Sequence, residues 1–129
     1  MYDIIIRNGR VIDPQNKFDA KADVAIYNGK IVGVGDYQNA ESDRVLDAAG
    51  HIVTPGLIDA HSHLLISEEG MGSIGDDCCD YSDALTPHLE VLDGMYPFDR
   101  AVERSARAGV TSVLVCPGSD GVIGGVCSV

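Results

Sequence analysis

"GLIDAHSHLL", residues 56–65, reads as a strand of small and apolar residues interrupted by Asp59, His61 and His63 at every second position. Successive side chains of a strand point to opposite faces, so these three share one face while Ile58, Ala60, Ser62 and Leu64 share the other. The run is predicted to be a strand buried on both faces, with its polar row turned toward partners. Two imidazoles projecting from one face suit chelation of a single zinc-like cation, since neutral imidazole is a common ligand for such metals. Asp59, one pleat further back, suits a hydrogen-bond acceptor that holds a ring, or a weak additional ligand. On spacing alone, two hydrogen-bonded histidines at a strand end remain an open alternative.

Upstream, the sequence reads as antiparallel sheet. "YDIIIRNGRVID" (2–13) and "DVAIYNGKIVGVG" (23–35) each place Asn-Gly between β-rich runs. Asn-Gly suits a type I′ turn, whose two central residues need positive φ, so two hairpins are predicted, at Asn8-Gly9 and at Asn28-Gly29. "DPQNKFDAKA" (13–22) supplies the loop between them, and further short strands are expected at Arg44–Asp47 and His51–Thr54.

Downstream, an acidic segment with several glycines from Ser67 to about Leu85 reads as loop. "PFDRAVERSARA" (97–108) has apolar residues near helical spacing, with Pro97 suited to the first turn and Gly109 to the stop. "VTSVLVC" (110–116) is a β-branched strand, followed by the Gly-rich loop "PGSDGVIGG" (117–125). Strand, helix and strand make one βαβ unit with parallel strands. The predicted fold class is therefore mixed: an antiparallel β-sandwich-like domain over 1–54, then the start of an α/β domain over 55–129.

Charge narrows the partners. Nine basic against 20 acidic side chains give a net charge of −11 in a chain of 129 residues. Phosphate backbones and anionic membranes are bound through clustered Lys and Arg, so neither nucleic acid nor membrane is an expected partner. No apolar run approaches the ~20 residues of a membrane span, and Met1-Tyr2-Asp3 lacks the basic start of a secretory signal, so a cytoplasmic location is expected. Cys78, Cys79, Cys116 and Cys127 fit neither a CxxC zinc knuckle nor a disulfide framework, and are expected to be ordinary thiols. His51 and His88 are expected to be structural or solvated. "PGSDGVIGG" lacks the GK[ST] ending of a P-loop; Gly118, Ser119, Gly124 and Gly125 could offer backbone N–H groups to a substrate carbonyl or carboxylate, or merely permit sharp turns.

"DIIIRNGRVIDP", "ADVAIYNGKIVGVG" and "VLDAAGHIVTPGLIDAHSHL", in that order, resemble the N-terminal part of the amidohydrolase superfamily. "TPHLEVLDGMYPFDRAVERSARAGVTSVLVCPGSDGVIGG" extends the match and is similar to the imidazolonepropionase-like branch. The resemblance implies a β-sandwich and the first βαβ part of a metal-dependent (β/α)8 TIM-like barrel, whose first strand ends in the HxH of His61 and His63. It also implies hydrolysis of a carbon–nitrogen bond other than a linear peptide bond, with a small-molecule amide as substrate. In that chemistry a divalent metal, zinc first with iron, manganese or nickel open, polarises the carbonyl and lowers the pKa of water toward ~7.

Such a barrel takes ~250 residues. The further ligands and the general base come from later strands in the family, so no catalytic residue is expected within this chain. Lys17, Lys21 and Lys30 all precede the HxH, so a bridging carboxylated lysine cannot come from it. The expectation is a truncated N-terminal fragment, inactive alone and prone to self-association through unpaired strand edges. The alternative is a non-catalytic binding or assembly module.

Overall fold

A computed structural model describes residues 1–129. The chain is mostly β-strand with few helices and divides into two compact units, Met1–Pro55 and Gly56–Val129.

The first unit is built on strand β1 (Tyr2–Asp13), flanked by β2 (Phe18–Tyr27) and then β3 (Lys30–Gly35) on one side. Strands β4 (Ser42–Asp47) and β5 (Ile52–Val53) share its other edge. The β1/β2 and β2/β3 pairs are antiparallel, whereas β4 and β5 both run parallel to β1. The expected purely antiparallel arrangement is thus corrected to a mixed sheet. Parallel pairing is possible because the chain crosses from β3 through residues 36–41 before entering β4. Ile5, Val11, Val24, Ala25 and Ala48 form the buried apolar set.

The two Asn-Gly pairs take different roles. Asn28 (φ 50°) and Gly29 (φ 68°) make the tight β2–β3 turn with both residues at positive φ, as expected. Asn8-Gly9 is not a hairpin turn: β1 runs straight through it, and the register against β2 shifts between Ile6 and Gly9. Asn8, at φ 64°, forms a bulge, and its freed N–H donates to the Asp23 carboxylate at 2.9 Å. Asp23 is 2% exposed and also accepts from the Tyr37 N–H and the Gln38 side-chain amide, so one buried carboxylate pins the bulge and the loop after β3. The real first hairpin turns at Pro14–Lys17. A side chain at Gly9 would strike Val53 Cγ2 at 2.6 Å, so β5 can approach β1 only because position 9 is glycine.

In the second unit, β6 (Leu57–Ser62) pairs in parallel with β7 (Val110–Val115), and α1 (Arg100–Arg107) lies between them in sequence and packs on β7. Two 3-10 turns, Gly72–Ile74 and Val91–Gly94, punctuate the long connection. The helix starts later than its apolar spacing suggests, because the Asp99 carboxylate caps it by accepting from the Ala101 N–H at 3.0 Å. Phe98, one of the apolar residues of the 97–108 stretch, precedes the cap and is exposed. Gly109, at φ 93°, ends the helix as expected. Ile66, Val91 and Val115 form the core, with Leu65, Cys78, Met95 and Val113 against it.

β6 itself is not buried on both faces: Leu57 and Ile58 are 55% and 76% exposed. Its one strand neighbour is β7, and the helix covers β7 instead. No helix is long and apolar enough to cross a membrane.

Candidate functional site

The end of β6 carries the two histidines side by side, with ring centroids 5.2 Å apart and planes at 82°. His61 is exposed and His63 half-buried. The Nδ1 atom of His63 lies 2.7 Å from the carbonyl oxygen of Cys116, just beyond the end of β7. A carbonyl can only accept, so Nδ1 carries the proton and donates; the Nε2 lone pair is left for a ligand. The parallel pairing of β6 with β7 creates this contact, since the Cys116 N–H in turn donates to the Ser62 carbonyl at 2.8 Å.

Asp59 accepts from the backbone N–H of His61 at 3.1 Å. The carboxylate therefore fixes the strand's turn toward His61 and does not hold a ring through an imidazole N–H. Asp76 lies within electrostatic reach of His63. Its carboxyl is held below the ordinary carboxylate range, first by the Ser67 hydroxyl, then by the Cys78 thiol. No group of three or more His, Cys, Asp or Glu side chains is placed to hold a metal. The two imidazoles lie side by side without a third such side chain placed beside them. His51 serves its local turn, its Nδ1 lying 3.0 Å from the Ala49 carbonyl, and His88 is exposed.

The Gly-rich loop after β7 is firmly seated. Gly118 donates to the Cys78 carbonyl at 2.6 Å, Val122 to Ala84 at 2.9 Å and Val126 to Leu89 at 2.8 Å. The N–H of Gly118 is therefore engaged by protein, which suits the turn-permitting one of the two roles left open for it. Gly118, Gly124 and Gly125 line a cavity of about 300 Å³ together with the Asp77–Asp80 segment, Thr86 and Glu90, while Ser119 is exposed outside it. Neither His61 nor His63 lines this cavity.

The cavity beside Cys78 and Cys79 escaped the sequence reading, which named the two thiols but not their surroundings. Cys78 and Cys79 face the cavity with their sulfurs 3.5 Å apart, and burial first, then Cys79, pushes the Cys78 thiol up to about 12. A side chain at Gly118 would overlap Cys79 Sγ, which explains glycine there. Their signal in the sequence is the Cys-Cys pair itself, whose surroundings depend on a loop some forty residues away.

No family model matches the chain. A dihydroorotase from Solibacter usitatus is 52% identical over 61 residues, covering 47% of this chain and 14% of its own length. An amidohydrolase from Hapsidospora irregularis is 36% identical over 107 residues, covering 80% of this chain and 11% of its own. The crystal structure of an amidohydrolase from Thermotoga maritima superposes with a TM-score of 0.86 at 38% identity, over 98% of this chain and 33% of that one. The chain thus spans between about one ninth and one third of these proteins. With the HxH strand, these likenesses identify it as N-terminal sequence of the amidohydrolase superfamily.

Proposed function

We propose that this chain is the metal-anchoring N-terminal part of a hydrolase acting on carbon–nitrogen bonds other than linear peptide bonds, with His61 and His63 as two of the metal ligands. The observation that carries the reading is the 2.7 Å contact between His63 Nδ1 and the Cys116 carbonyl, which occupies one ring nitrogen and leaves the other as the ligand atom. A metal-ligating histidine characteristically donates its other ring N–H to a carbonyl or carboxylate in this way.

In this reading β6, α1 and β7 are the first βαβ part of a (β/α)8 barrel, and the exposed Leu57 and Ile58 are the positions its remaining strands and helices cover. When bound, a divalent cation, zinc being the leading choice, supplies Lewis-acid activation of a carbonyl and of water. The chain's own residues prepare that site. Cys116 fixes the tautomer and tilt of His63, and Asp59 fixes the backbone that presents His61. The exposed Ser119 at the head of the seated loop is available to a small-molecule amide. The proton-shuttling carboxylate and the remaining ligands come from sequence beyond these residues.

The second reading, a non-catalytic assembly module, draws on the lack of a third metal-ligating side chain and on the exposed Leu57 and Ile58 of β6. A chimera separates the two: residues 1–129 replace the aligned third of the Thermotoga maritima amidohydrolase. The enzyme reading expects the purified chimera to retain metal and to lose it on His61→Ala or His63→Ala. A metal-free chimera, or variants that keep the metal, would favour the assembly reading.

A further inference from the structure

Cys116 and Cys127 are placed as a cross-strand pair. Val115 and Ser128 form an antiparallel bridge and exchange both hydrogen bonds, at 2.8 Å and 3.0 Å. Stepping one residue along each side of that bridge brings Cys116 opposite Cys127, in the position where hydrogen bonds between the two segments are absent. The Cys116 N–H indeed points the other way, to Ser62. Residues directly opposite in such a position have Cα atoms about 4.5 Å apart and side chains on the same face. That separation falls inside the roughly 4.4–6.8 Å span of disulfides. The neighbouring Cys116 thiol also raises the pKa of the Cys127 thiol. Cys116 is buried and Cys127 exposed, so a small reagent reaches the pair from one side.

We infer that Cys116 and Cys127 are a modification site that forms an intrachain disulfide with a low-molecular-weight disulfide as oxidant, closing the Pro117–Val126 loop. The Cys127 thiolate attacks one sulfur of the oxidant and expels the first thiolate. Cys116 Sγ then attacks Cys127 Sγ in the mixed disulfide, and the second thiolate leaves. Two protein thiols are oxidised, one disulfide is reduced to two thiols, and the two protons pass to the released thiolates. Because the Cys116 carbonyl seats His63, the bond also stiffens the support of that ring.

The adjacent pair Cys78 and Cys79 supplies an internal comparison. A bond between neighbours strains the planar peptide linking them, and the Cys78 thiol stays protonated near neutral pH. Trypsin separates the pairs cleanly, since cleavage after Arg107 leaves Ala108–Val129 and cleavage after Arg44 and Arg100 leaves Val45–Arg100.

The full chain is treated with oxidised glutathione, alkylated and digested, alongside a Cys78→Ser/Cys79→Ser variant. The expected result is loss of two hydrogen atoms from Ala108–Val129, no alkyl label on that peptide, and restoration by reductant, with Val45–Arg100 still alkylated. The selectivity should disappear in urea, where the register that opposes the two cysteines is lost. A stable glutathione adduct on Cys127, a disulfide-linked dimer, or preferential oxidation of Cys78 and Cys79 in the folded chain would overturn the inference. The wild-type digest decides the matter if the serine variant fails to fold.

Discussion

His63 and Cys116 are 53 residues apart in sequence, yet the ring of one is set by the backbone of the other through a 2.7 Å contact from Nδ1 to the carbonyl oxygen. Parallel pairing of β6 and β7 brings them together, so a feature of the sheet determines which nitrogen of His63 is engaged by the backbone. Nitrogen-15 NMR at about pH 8, above the ordinary imidazole titration near 6.5, should show His63 as the Nδ1–H tautomer. A predominantly Nε2–H ring would mean that the contact does not form in solution.

Gly118→Ala should destabilise the second unit, because the new methyl overlaps Cys79 Sγ and comes within 3.2 Å of the Cys78 carbonyl. Overpacking of this kind costs about 1–3 kcal/mol, to be read from urea denaturation. Cys79→Ala should recover part of the loss, a coupling that a double-mutant cycle measures. Strict additivity of the two changes would show that the sulfur is not what excludes a side chain at position 118.

Asp23→Ala should cost about 1–3 kcal/mol, since it strands the N–H groups of Asn8 and Tyr37 and the Gln38 amide around a buried site. Amide exchange at Asn8 and Tyr37 should accelerate more than exchange at Ala25, which is equally interior to the sheet. Uniform acceleration would point to global loosening instead of a local pin.

Acid should weaken the first unit. Asp19 is held below the ordinary carboxylate range mainly by the Arg10 guanidinium, and Asp47 mainly by the Asn8 side-chain amide. A depressed pKa in the folded state means the stabilisation is complete above the unfolded value near 3.9 and is lost as pH falls through the lower folded value. The urea midpoint should therefore be level between about pH 5 and 8 and fall below about pH 4. Asp47→Asn should lessen that fall; both carboxylates are exposed, so the change is small. An unchanged acid profile in the variant would remove Asp47 from the account.

The parts legible in the sequence are those decided by neighbours along the chain. Asn28-Gly29 needed only its own φ preferences to make a turn, and the closeness of the His61 and His63 rings needed only their two-residue spacing. Asn8-Gly9 offered the same local signal and became a bulge, because Asp23 on the adjacent strand takes the Asn8 N–H. The helix began at Arg100 because Asp99 outcompeted Pro97 as its start. The partner of His63, the cavity beside Cys78 and the facing of Cys116 and Cys127 all depend on segments dozens of residues apart. No local pattern encodes them. The exposure of Leu57 and Ile58 was equally hidden, since an apolar strand reads the same whether or not its cover is present.

Whether His61 and His63 act as a pair of metal ligands is decided by calorimetric titration of zinc into the size-fractionated chain and into its His61→Ala/His63→Ala variant. One zinc should bind per chain, weakly because only two ligands are supplied, with no such binding in the variant. Equal uptake by the two proteins, or none by either, would contradict that role.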